Sequence, residues 1–184
     1  MKIVGILGAA GSGKSTAAGV LVRDHGFTSE SFAAPLKDVV SAVFGWDREA
    51  LEGVTPASRA WREQVDPWWS ARLGIPGLTP RWALQHVGTE VMRNAFHQDI
   101  WTASMQRRLH AANDVVVSDV RFANEADAIR AAGGVLVRVS RPGTVAGTHA
   151  TEALSAAIDV DYELENAGTI EHLETLVRFL VTKL

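Results

Sequence analysis

Residues 8–16 read Gly-Ala-Ala-Gly-Ser-Gly-Lys-Ser-Thr and match the spacing G-x-x-x-x-G-K-[ST] without a gap. Glycines in such a loop let backbone N–H groups turn inward around an anion, where side chains would block the approach. The helix that follows offers its N-terminus, with a partial positive charge, to the same anion. Lys14 would reach the β- and γ-phosphates of a nucleoside triphosphate, and the Ser15 hydroxyl would ligate Mg2+. Gly8, Gly11, Ser12, Gly13, Lys14, Ser15 and Thr16 are therefore the candidate cofactor-binding residues, for ATP and Mg2+. The motif has this meaning only between a strand and a helix, and both flanks comply. Residues 1–7 (MKIVGIL) form a short apolar run with β-branched side chains, as a buried parallel strand does. Residues 15–25 carry apolar side chains at helical spacing, and Gly26 suits a helix C-cap.

The same alternation continues outward. Strands are expected at residues 28–32, 114–118 (DVVVS), 135–139 (VLVRV) and, more weakly, 160–164. Helices are expected at 125–132, ended by Gly133 and Gly134, and at 170–183. Strands alternating with helices predict an α/β domain with a parallel sheet covered on both faces. Asp119 follows the run Val115-Val116-Val117-Ser118, which places it at the C-terminal end of a buried strand. That is where P-loop enzymes keep the carboxylate that serves the metal, so Asp119 joins Ser15 as a candidate metal ligand. Residues 33–113 have a different texture, holding all six tryptophans outside any strand pattern. They read as a largely helical insertion over the C-terminal edge of the sheet, where open α/β sheets bind ligands. The segment 141–148 (RPGTVAGT) reads as a loop and a candidate lid.

The chain has 184 residues, 47% of them hydrophobic and 21% charged, the balance of one soluble globular domain. It has no cysteine, which excludes a disulfide framework and a thiolate nucleophile or metal site. No run approaches a membrane span, and the N-terminus lacks the regions of a signal peptide, so a cytoplasmic protein is expected. A net charge of −3 argues against a stable nucleic-acid partner.

A more specific likeness lies in Phe32-Ala-Ala-Pro-Leu-Lys37, Arg59-Ala-Trp-Arg-Glu63, the block from Pro80 to Arg93 (PRWALQHVGTEVMR) and Asp99-Ile-Trp101. It extends to Ser118-Asp-Val-Arg-Phe-Ala-Asn-Glu125 and His149-Ala-Thr-Glu152. In this order, along essentially the whole chain, these segments resemble the deoxynucleoside monophosphate kinases of bacteriophages. The resemblance implies a P-loop kinase fold with a five-stranded parallel sheet ordered 2-3-1-4-5 and helices on both faces. Residues 1–32 and 114–184 would form the core, residues 33–113 the monophosphate-binding insertion, and residues 141–159 the lid. Arg81, Gln85, Thr89, Glu90 and Arg93 would line the acceptor site, with Lys37, Arg62, Trp69 and Glu152 as further candidates. Arg121 and Arg141 would act near the phosphates with Lys14 and Asp119, and Asn166 and Gly168 would hold the adenine of ATP. The resemblance also suggests a homodimer.

The residues themselves are compatible with this. Four-residue spacing puts Arg81 with Gln85, Gln85 with Thr89, and Thr89 with Arg93 on one face of an α-helix, with a bend expected at Gly88. Two guanidinium groups on a polar face suit a phosphate and a base edge. A monophosphate acceptor needs no general base, since its second pKa of about 6 leaves it anionic at neutral pH. The expected reaction is ATP + dNMP → ADP + dNDP. A related kinase acting on a hydroxyl, in dephospho-coenzyme A or on a modified base in DNA, is the first alternative, and a non-kinase nucleotide switch is the second.

Overall fold

The computed structural model describes residues 1–109, 113–143 and 155–184. Its strands are β1 (Ile3–Leu7), β2 (Thr28–Glu30), β3 (Val115–Val117), β4 (Val135–Ser140) and β5 (Tyr162–Glu165). Its helices are α1 (Lys14–His25), α2 (Ala34–Phe44), α3 (Arg48–Glu52), α4 (Pro56–Arg62), α5 (Pro67–Leu73), α6 (Pro80–Gln85), α7 (Ile100–Leu109), α8 (Ala123–Ala131) and α9 (Ile170–Val181), with a π-helix over His86–Phe96. Among the described residues, no helix is long and apolar enough to cross a membrane.

The five strands form one parallel sheet in the order β2-β3-β1-β4-β5, as the resemblance implies. Each overlaps a segment where a strand is expected. β1 is central: Ile3 is level with Val115 on one side, and Val4 with Val135 on the other. All five of its residues are buried, and a strand covered on both faces has no use for a polar side chain. Val4 and Ile6 turn to the face where Ala17 and Leu21 of α1 and Leu173 and Val177 of α9 pack. Gly5 turns the other way, where a Cβ would come within 2.9 Å of Leu136 and 3.4 Å of Ile129 in α8. At about 1.5–3 kcal/mol for each fully buried aliphatic side chain, these two faces supply the main drive to fold.

By contacts the chain divides into two compact units, one of Met1–Phe32 with Thr102–Leu184 and the other of Ala33–Trp101. The second unit is built from short helices with explicit start signals. Asp47, Thr55, Asp66 and Thr79 each accept a hydrogen bond from a backbone N–H of the helix they precede, and Pro56, Pro67 and Pro80 occupy the next position. Helices this short are marginal alone, so they depend on a shared core. That core is Val40, Trp46, Leu51, Leu78 and Ala83, with Phe44, Trp61 and Trp69 packed around it. Phe44 and Trp46 stack at 4.4 Å, and the Trp46 and Trp69 indoles donate to Asp66 and to the Phe44 carbonyl, at 2.8 and 3.1 Å. The tryptophans that stand apart in the sequence are largely this core. Trp68 and Trp82 are exposed instead, at 61% and 37%.

The segment after α6 differs from the α-helix that its spacing predicts. From His86 the backbone winds with i→i+5 bonds as far as Phe96, and the His97 N–H closes onto the Met92 carbonyl. There is no break at Gly88. Instead the Trp101 indole donates to the Gly88 carbonyl at 3.0 Å, and Leu36 packs where a Cβ would stand, 2.7 Å away. The wider coil changes which residues align: past Gln85 a full turn takes between four and five residues, so the strict four-residue face ends there.

Above the apolar contact of α1 with α9 lies a surface ion network. Asp24 accepts from Arg23 at 2.6 Å and from Arg178 at 2.9 Å, and both arginines also reach Glu174. The Arg23 hydrogen bond, then that from Arg178, holds the Asp24 carboxyl down at about 2. A depressed carboxylate favours the folded state above its unfolded pKa of about 3.9, and that contribution disappears as pH falls through the folded value. Asp24→Asn is therefore expected to lower Tm at pH 7 by no more than about 3 °C, because the groups are exposed. In thermal melts followed by circular dichroism, the gap to wild type should close between about pH 4 and pH 2.

Candidate active site

The loop after β1 is shaped by what its glycines leave out. A Cβ at Gly8, where φ is +143°, would lie 2.2 Å from the Val139 carbonyl oxygen. At Gly13, where φ is +110°, it would strike Asn166 and Leu173 at 2.7 and 2.8 Å. Both positions accept only glycine, for conformation and for space. Gly11 has nothing within 4 Å of its missing Cβ, so the outer side of the loop is open. Ser12 is fully buried within it, and its Oγ has no partner among the described residues. Lys14 Nζ folds across the loop to the Gly8 and Ala9 carbonyls, 2.6 Å from each. Ser15 stands exposed on the first turn of α1, with Thr16 beside it. An open ring of backbone donors, a lysine across it and a hydroxyl at a helix start together fit a polyphosphate.

Asp119 lies two residues beyond Val117, the pairing partner of Gly5, and so is level with the root of the loop. One of its oxygens accepts from Ser31 Oγ at 2.7 Å and the other from the Phe32 N–H at 3.0 Å. These donors orient the carboxylate. Hard oxygens from Ser15 and Asp119, with phosphate and water, are a donor set that suits Mg2+. Arg121 is exposed just after it, its backbone N–H held by the Glu125 carboxylate at 2.8 Å. Arg141 is exposed beyond the end of β4. Of the lid residues, Glu152 lies outside the described residues. Gly168 sits on an exposed turn, whereas Asn166 is buried with its side chain directed to the Ser12 carbonyl.

The unit of Ala33–Trp101 sorts the other candidates. Lys37 is ion-paired with Glu52, which also binds Arg48; burial pushes the Glu52 carboxyl up, and these two cations more than reverse it. Trp69 belongs to the core. Gln85, Thr89 and Glu90 are exposed, with Glu90 accepting from Asn94 at 3.0 Å, and Arg93 is half-buried. Arg62 is unlike the rest. Its guanidinium lies against Gly53, where a Cβ would stand 2.2 Å away, and its Nε is buried with no partner among the described residues. Burial, and then the nearby charge of Arg81, lowers its pKa. Arg81 itself meets Glu63 at 3.3 Å.

The model of the family described as deoxynucleotide monophosphate kinase matches residues 77–177. A protein of Acanthamoeba polyphaga mimivirus provisionally named deoxynucleotide monophosphate kinase is 37% identical, over 93% of this chain and 91% of its own. The deoxynucleotide monophosphate kinase of Enterobacteria phage T4 is 23% identical, over 97% and 98%. The chain belongs to the deoxynucleotide monophosphate kinase family. Among solved structures, that of TT1252 from Thermus thermophilus superimposes with a TM-score of 0.50 at 21% identity, over 99% of this chain and 97% of the other, which shows the shared fold.

Three supporting residues of this kinase escaped the sequence reading. Glu125 accepts from the Arg121 and Phe122 N–H groups at the start of α8, and the spacing F-x-x-E before a helix is a signal that could have found it. Ser31 orients Asp119. Arg108 secures that segment through Glu30 at 2.9 Å and the Ser31 carbonyl at 2.8 Å, a long-range contact with no local signature.

Lys14→Ala removes the cation that spans the loop while leaving the apolar core untouched. It should lower kcat/KM by at least about a hundredfold. Its melting temperature should remain near that of wild type. Near-normal turnover by the folded variant in a steady-state assay would remove the loop from the chemistry.

Proposed function

We propose that this nucleotide kinase transfers the γ-phosphoryl group of ATP, in the presence of Mg2+, to the phosphate of a deoxynucleoside monophosphate, yielding ADP and the diphosphate. Family membership, joined to a complete phosphate cradle at the end of a central strand, carries the reading. The relatives are named for this acceptor class.

The donor's β- and γ-phosphates lie along the backbone of residues 8–15, with Lys14 neutralising the charge that spreads over the transferring group. Ser15 and Asp119 would hold Mg2+, whose role is to neutralise the phosphate oxygens and fix their orientation. An acceptor phosphate oxygen forms the new bond to the γ-phosphorus as the bond to the β–γ bridging oxygen breaks, and ADP leaves with that electron pair. The acceptor is already an anion, so no side chain removes a proton. Arg121 and Arg141 are assigned to the equatorial oxygens. Catalysis then rests on alignment and charge.

Arg62 and Arg81 are assigned to the acceptor phosphate. Two guanidinium groups in mutual repulsion, one partly desolvated, gain from a dianion that satisfies both. Linear spacing alone divides Arg81 and Arg93 between a phosphate and a base edge, and Arg62 is added here beside Arg81. Gln85, Thr89, Glu90 and Arg93 on the wider helix remain for the sugar and base.

ADP release coupled to NADH oxidation, with each of the four dNMPs, dephospho-coenzyme A, an oligonucleotide or no acceptor, tests the reaction. At least one dNMP should raise turnover well above the acceptor-free rate. Stimulation by dephospho-coenzyme A or the oligonucleotide alone would replace the proposed acceptor. For the arginines, Arg62→Lys should raise KM for the dNMP about tenfold and lower kcat, with KM for ATP unchanged. Gly53→Ala should do the same by displacing the guanidinium it now admits. Normal acceptor kinetics in both variants would place the phosphate elsewhere.

A further inference from the structure

We infer that Asn166 is a positioning residue for the phosphate cradle, fixing the direction of the Gly13 N–H, and that it does not read the adenine. Its backbone continues β5 across to β4, with the Asn166 N–H donating to the Ser140 carbonyl at 2.7 Å. The side chain is 6% exposed, and Nδ2 donates to the Ser12 carbonyl at 2.9 Å across 154 residues of sequence. This approach exists because Gly13 has no Cβ; one would lie 2.7 Å from Nδ2.

The consequence follows from the peptide plane. Ser12 C=O and Gly13 N–H belong to one trans amide, so they point to opposite sides of the chain. Holding the oxygen from the core side aims the N–H to the open side of the loop, where the anion is bound. Without that bond the peptide has little to resist a flip, since Gly13 tolerates a wide range of φ. A pre-aimed donor costs nothing to reorganise when phosphate arrives, the condition under which backbone donors are most effective. Asn166 also satisfies a carbonyl that is shut away from water. The amide is the right chemistry for this: it donates without adding charge beside a site meant for an anion.

The inference rests on reading residues 8–15 as a polyphosphate site but is independent of the acceptor. Its test uses tripolyphosphate, which has the phosphates of ATP and no base, by isothermal titration calorimetry of the full chain. Asn166→Leu keeps roughly the same volume, loses the donor and adds no charge. It should weaken tripolyphosphate and ATP alike, by about tenfold or more, and leave the ATP-to-GTP preference and the dNMP KM unchanged. Weakened ATP binding with tripolyphosphate unaffected, or a changed ATP-to-GTP preference, would make Asn166 a base contact and overturn the proposal. Wild-type protein that binds no tripolyphosphate removes the cradle reading and this inference together. A second measurement covers the case of a variant that fails to fold. In wild-type protein the Asn166 side-chain NH2 protons should exchange slowly with solvent by NMR, and tripolyphosphate should shift the Gly13 amide. Fast exchange of those protons would show that the bond does not hold.

Discussion

Strand β1 is hydrogen-bonded to a parallel neighbour on each side, and the rest of the molecule depends on that central placement. A parallel strand buried on both faces exposes nothing but its ends, so the chain leaving Leu7 must turn at once into the only open space. The loop there meets the Val139 carbonyl on one side and Asn166 on another, within distances that only glycine permits. β3 and β4 therefore do more than complete a sheet. They carry Asp119 level with the loop and wall it from behind. The candidate phosphate site is a by-product of strand order.

The unit of Ala33–Trp101 solves a different problem. Helices α3 to α6 are too short to persist on propensity, and each of these four is started by a side-chain cap, three with a proline behind it. Aromatic side chains clustered about Trp46 then hold the short pieces together. Such a core leaves the charged groups to the periphery. Several of them find opposite charges, as Lys37 does with Glu52. Arg62 has no ion pair among the described residues, and although one N–H reaches the Leu51 carbonyl at 3.4 Å, its Nε is buried against Gly53 without a partner there. A cation kept in that condition is a more specific pointer to an anionic ligand than arginine content alone.

The two units use backbone carbonyls in a similar way. Asn166 takes the Ser12 carbonyl from a distant strand, and Trp101 takes that of Gly88 within the π-helix. In each case a side chain meets an oxygen whose glycine neighbourhood is crowded by a second side chain, Leu173 in one and Leu36 in the other. Irregular backbone is expensive unless something else satisfies its polar groups. These side chains meet that need at the loop and at the helix that carry the functional candidates.

The P-loop, the strand–helix alternation and the buried run that ends at Asp119 were legible in the chain alone. Each of those is a local pattern, read within a few residues through glycine geometry, periodicity or capping. The family was legible too, because several such patterns recur in order along the chain. What only the tertiary structure decided is which distant groups meet. It turned Asn166 inward to Ser12, set Ser31 on Asp119, drew Trp69 into a core, and pressed Arg62 against Gly53. It also wound residues 86–96 more widely than their spacing predicts. Contacts of this kind depend on how strands are ordered and which helix faces pack, and a linear pattern records neither.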